Sequence, residues 1–212
     1  MGVVPGRSTR SLDVKMPGIA IALNNVPLAT VSTEGTSVLT VRVNGDMLGP
    51  DFASLDVSGG NYDENLGPKT YLTWVHDQPM RPGDEIEVTL VESATTNVDG
   101  KTIDELFPDY EEPVGPSQPL SELFRDLAGR PRIRERFSFR LASTESEPIS
   151  TATGPGDHSF GFSVLWDSLH PERARVSLSS ANLECIEARK PGTRLADLTL
   201  HCGQGVRLRV DV

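Results

Sequence analysis

Along most of the chain apolar and polar residues alternate one by one, which is the period of a half-buried strand and not of a helix. In the first half this alternation, or an enrichment in β-branched residues, marks 19–23, 26–32, 37–43, 53–58, 70–75 and 85–92 and predicts six strands. In the second half it marks 136–142, 159–166, 174–180, 196–201 and 206–210, with weaker signals around Ile149 and Cys185. Turn residues punctuate the pattern. Asn24-Asn25 suits a two-residue type I′ hairpin, because Asn tolerates left-handed backbone, and Arg81-Pro82-Gly83-Asp84 places Pro and Gly at the corners of a turn. The pattern predicts an all-β chain of antiparallel, sandwich-like architecture.

The pattern also repeats. A shift of 121 residues lays 39–62 on 160–183 without a gap, and Val43/Val164, Asp46/Asp167, Leu48/Leu169, Pro50/Pro171, Ala53/Ala174, Ser58/Ser179 and Asn61/Asn182 coincide. The series Leu39, Val41, Val43 meets Phe160, Phe162, Val164, so the apolar face is kept. With small gaps, 19–23 resembles 137–141 and 72–74 resembles 198–200. These matches predict an internal duplication: two related β-sandwich-like units, 17–95 and 132–212, or one pseudo-symmetric sandwich built from both, each half containing the same strand-loop-strand element. The loop pattern Asp-x-Leu-x-Pro-acid-x-Ala holds Asp46, Pro50 and Asp51 in one copy and Asp167, Pro171 and Glu172 in the other. Its occurrence twice favours a strand-connecting loop with an Asx turn over a catalytic device.

Between the units, 96–131 departs from the alternation. Residues 99–126 hold eight acidic side chains against Lys101 and Arg125, and Pro108, Pro113, Pro116 and Pro119 bar a strand. Thr102 and Glu105 have capping-box spacing for one helical turn. Leu120, Leu123, Phe124 and Leu127 fall at i, i+3, i+4 and i+7, and Gly129 stands where a C-cap belongs. A short amphipathic helix near 119–128, packed on a sheet, is expected. Arg130, Arg132, Arg134, Arg136 and Arg140 follow, read as charges that face the acidic connector and solvent while Ile133, Phe137 and Phe139 point inward. Residues 1–16 read as a disordered arm.

A net charge of -10 argues against nucleic acid as a partner and favours a basic protein surface. No stretch has the length and hydrophobicity of a spanning helix and 1–15 lacks the apolar run of a secretory signal, so a cytoplasmic location is expected. Cys185 and Cys202 are too few for a disulfide scaffold or a zinc motif. His76, His158, His170 and His201 show no ligand-spaced pair, and no metal or cofactor is expected. Asp46, Asp51, Asp56, Asp63 and Glu64 could form a carboxylate site, but in no calcium-loop spacing, and no Gly-x-Ser-x-Gly elbow is present. Trp74 and Trp166 end strands, a position more often core or rim than sugar platform.

The function expected is non-enzymatic: a protein-binding module, such as an inhibitor or immunity-type factor, for a basic partner. Asp104, Glu105, Asp109, Glu111 and Glu112 of the connector are its candidate contacts. The alternatives are a β-sandwich hydrolase or lyase with a cleft of carboxylates and His158, and a carbohydrate-binding module. A cleft with paired, perturbed carboxylates would favour the enzyme, and an exposed row of coplanar aromatics the sugar binder.

Overall fold

Residues whose side chains alternate can bury one face only by pairing edge to edge and stacking face to face, and the computed structural model of residues 16–111, 115 and 118–212 does so. In chain order the strands are β1 Gly18–Leu23, β2 Val26–Ser32, β3 Val38–Asp46, β4 Ala53–Asn61, β5 Thr70–Met80, β6 Glu85–Val91, β7 Ser138–Ser143, β8 Ile149–Ala152, β9 Ser159–Asp167, β10 Arg173–Ala181, β11 Thr193–His201 and β12 Gly205–Asp211. The helices are α1 Ile103–Leu106, α2 Leu120–Ala128 and α3 Leu183–Glu187, with a 3-10 turn at Glu64–Leu66. One sheet runs β2-β1-β6-β12-β7-β8 and the other β11-β10-β9-β3-β4-β5, all pairs antiparallel. The alternate residues of both inner faces, among them Ile21, Val43, Val88, Phe162, Leu178 and Leu208, close into a single core. The expected arm lies outside the described residues except for Met16.

Both sheets read the same when each strand of the first half is exchanged with the strand six later. The registers agree as well. Val43 faces Leu55 as Val164 faces Val176, and Ile21 faces Val88 as Leu141 faces Leu208. The ladder slips between Val57 and Ser58 and again between Leu178 and Ser179, at matching positions. At the centre of one sheet Arg42 pairs with Ser163, 121 residues on, and at the centre of the other Glu87 pairs with Arg207, 120 residues on. Each residue therefore faces its own counterpart, and a pseudo-twofold axis passes through both sheets. On either side of it bulk is traded across the strands: Gly45 lies opposite Phe160, while Leu39 lies opposite Trp166.

Three expectations of register and element type need correction. Register places 19–23 on 139–143, not 137–141, because Phe137 pairs with Thr153 ahead of the β7 ladder. It places Thr73 on Arg194, not Thr199, because Ser58 faces Thr73 as Ser179 faces Arg194 next to the shared slip; beyond that slip β5 carries one more residue than β11. The stretch around Cys185 is helical, since Asn182 accepts the Cys185 N–H at 2.8 Å and caps α3. The expected turns are present: Asn24 and Asn25 have φ of 54° and 63°, and Gly83, at φ 87°, follows Pro82 as a type II corner requires.

Arg132 and Arg134 turn to loops of the sandwich and not to the acidic connector. Arg134 reaches back to the β3–β4 loop, donating to the carbonyls of Asp46 (2.6 Å), Gly49 (2.9 Å) and Pro50 (3.0 Å), and its guanidinium lies 5.8 Å from the ring centres of Phe52 and Phe137. Arg132 donates to the carbonyl of Pro155. The three Arg134 bonds hold the β3–β4 loop shut over the core. Arg134→Met keeps the stem and loses the donors, so an equilibrium denaturant titration is expected to show a loss of about 2 kcal/mol. An unchanged midpoint would mean that the loop closes without this arginine.

Helix α2 covers no sheet face, because the inner faces already close on each other. It lies across one end of the sandwich, where Phe124 and Leu127 face Leu183 and Ile186 of α3 and Leu48 of the β3–β4 loop. Pro119 is its N-cap, and Gly129 ends it in right-handed geometry.

Candidate functional site

The edge strand β5 sets where the connector lies. The Thr73 and Lys101 amides exchange hydrogen bonds at 2.8 and 2.9 Å, extending the sheet by one bridge and partly covering its open edge. Gly100 permits the approach: a Cβ there would come within 2.8 Å of Trp74 Nε1 and 3.0 Å of Leu72 Cβ. Thr102 then caps α1, accepting the Glu105 N–H on its hydroxyl, while the Glu105 carboxylate accepts the Thr102 amide at 2.8 Å and its hydroxyl at 3.1 Å. Those bonds lower the pKa of Glu105. Of the candidate acids, Glu105 thus serves as a cap.

One turn of helix is too short to bury a face, and α1 leaves its apolar side in water. Ile103 is 64% exposed, Phe107 44% and Tyr110 68%, and with Asp104 and Pro108 they line a cleft of about 430 Å³. Phe107 is braced by the edge of His76, with ring centres 5.3 Å apart. His76 Nδ1 lies 3.3 Å from Asp56 Oδ1, which also accepts the Asp77 N–H at 3.0 Å and so holds Asp77 at φ 46° in the residue by which β5 exceeds β11. Asp104, Asp109 and Glu111 are exposed around the apolar group, and Glu112 lies outside the described residues. The acids were legible in the sequence. The apolar triad was missed, although Ile103 and Phe107 at i, i+4 with Tyr110 three further on spell one helical face.

The repeat-loop residues are at the two ends of the sandwich. Asp46 accepts the amides of Leu48 and Gly49, and Asp167 those of Leu169 and His170. The Met47 amide donates to the His158 carbonyl and the Ser168 amide to that of Ser37. The Pro50 carbonyl receives Arg134 and the Pro171 carbonyl receives Trp166 Nε1 at 3.1 Å. Asp51 and Glu172 are exposed.

The residues of the enzymatic alternative are dispersed. Asp46, Asp51 and Asp77 line one cleft of about 430 Å³, whereas His158 lines another, beneath α2, with Asp46 at its edge. His158 Nδ1 is buried without a hydrogen-bond partner among the described residues, and burial depresses its pKa. The neighbouring carboxylate of Asp157 is engaged elsewhere, accepting from Ser180 Oγ at 2.5 Å and from the Gly154 amide at 2.7 Å. Among the described residues no group of three or more His, Cys, Asp or Glu is placed to hold a metal ion, and no helix is long and apolar enough to cross a membrane. Cys185 and Cys202 are free thiols. Trp166 is core, Trp74 is half-buried, and the exposed rings of Tyr62 and Tyr71 are tilted by 54°. Comparison with protein-family models, curated proteins and solved structures finds no match to this chain.

Proposed function

We propose that this protein acts by binding a basic protein partner through α1 and the segment that follows it, as an inhibitor or immunity-type factor does when it covers a surface. The observation that carries the reading is the exposed triad Ile103, Phe107 and Tyr110 ringed by Asp104, Asp109 and Glu111. An apolar cluster with a charged rim is the anatomy of a recognition site, in which the rim steers the encounter and the centre supplies affinity. A chain at -10 adds a long-range field of the same sign. We also propose that the halves descend from one six-stranded unit. Matching strand order, registers and the seven coincident residues support it.

The triple variant Asp104→Asn, Asp109→Asn, Glu111→Gln tests the rim. With a partner captured from the native cell extract, stopped-flow association at low salt is expected to slow about tenfold and to lose much of its ionic-strength dependence. Thermal stability should stay the same, since these carboxylates are exposed. Association unchanged at low salt would sink the reading.

A further inference from the structure

The pseudo-twofold axis relates the two ends of the sandwich, and among the described residues only one end is covered by a helix. At the covered end α2 lays Phe124 and Leu127 over Leu48, Leu183 and Ile186. The counterparts of those three at the other end are Leu169, Tyr62 and Asn65, and together with Val38 they border an open groove of about 550 Å³. The identical pair Leu48 and Leu169 shows the contrast. Leu48 is half-buried, whereas Leu169 is 84% exposed and Tyr62 is 54% exposed. The backbone beneath is the same, each loop hung by one amide from the strand opposite, Met47 to His158 and Ser168 to Ser37.

The rims differ in charge. At the covered end the cleft is bordered by Arg130 and Asp46, one charge of each sign, and α2 presents Glu122 and Asp126 beside Arg125. At the open end the rim is Asp63, Glu64 and Asp167. Lys69 lies 3.2 Å from Glu64 and offsets one of these carboxylates, and the rim stays acidic. We infer that the groove between Tyr62 and Leu169 docks an amphipathic helix of a partner protein, seated as α2 is seated at the other end but with basic flanks. The surface is separate from α1, so either can hold if the other fails.

The probe is a labelled peptide of the 118–130 sequence carrying Glu122→Lys and Asp126→Lys, followed by fluorescence anisotropy and by amide chemical-shift mapping on the full chain. Binding is expected to move the amides of Val38, Tyr62 and Leu169, to weaken about tenfold or more with Leu169→Asp, and to be unaffected by Phe107→Ala. Leu169→Ser serves as a milder second variant, and both should keep the wild-type melting temperature because the side chain is exposed. Three results would overturn the inference. One is no binding at millimolar peptide, or binding indifferent to Leu169. Another is a dimer in sedimentation that Leu169→Asp dissolves, which would assign the groove to a second copy. The third is binding only after removal of residues 1–15, which would assign it to the chain itself.

Discussion

Phe137→Ala is expected to remove about 4 kcal/mol of stability, a large share of the total a domain of this kind holds. The ring is fully buried, with ring centres 5.3 Å from Phe52, 4.7 Å from Phe160 and 6.5 Å from Phe139, and Arg134 closes over it. Truncation removes the transfer energy of the ring and leaves a cavity whose walls cannot collapse. Phe160 and Phe52 are already wedged against Gly45, where even a Cβ would meet Phe160 at 2.5 Å and the Phe52 carbonyl at 2.8 Å. Phe137→Leu, which refills most of the volume, should cost about 1 to 2 kcal/mol. Denaturant midpoints with unchanged slopes are the measurement. A loss under about 1 kcal/mol for the alanine variant would mean that the aromatic cluster is not the keystone of this end.

Phe107→Ala combined with Tyr110→Ala is expected to lower affinity for the basic partner by a hundredfold or more. Central aromatic anchors in a desolvated interface commonly contribute about 2 kcal/mol each, and about 1.4 kcal/mol is tenfold. The free protein should melt as before: Tyr110 is mostly in water, and Phe107 touches the fold chiefly through the edge of His76. The loss should appear in the dissociation rate, in contrast to the rim acids, whose removal slows association. An affinity within threefold of wild type would show that the partner, if bound at all, is held elsewhere.

The strands were legible because alternation is a local signal. Ile86, Val88 and Leu90 are buried and Glu85, Glu87 and Thr89 are not, as their order dictates. The Asx turns could be read too, since Asp46 and Asp167 accept amides two and three residues away. What failed depended on neighbours remote in sequence. Arg134 binds carbonyls more than eighty positions earlier, and no charge pattern announces that. The gapped matches at 19–23 and 72–74 slid off register because a short apolar run fits several partners, whereas the ladder admits one. The helix at Cys185 was hidden by its apolar residues, which read as strand until the Asn182 cap is considered. The patch on α1 was half legible: the acids stood out as a charge run, but exposure of Phe107 and Tyr110 follows only from a helix too short to bury them.

The claim that binding runs through α1 is tested most directly by backbone amide hydrogen exchange of the chain alone and with its captured partner. Exchange is expected to slow at 103–111 and at the β5 residues beneath, Thr73 to His76, while Asp46, Asp51 and Asp77 exchange as in the free protein. Protection confined to the Asp46–Asp51–Asp77 cleft, with 103–111 unchanged, would contradict the account.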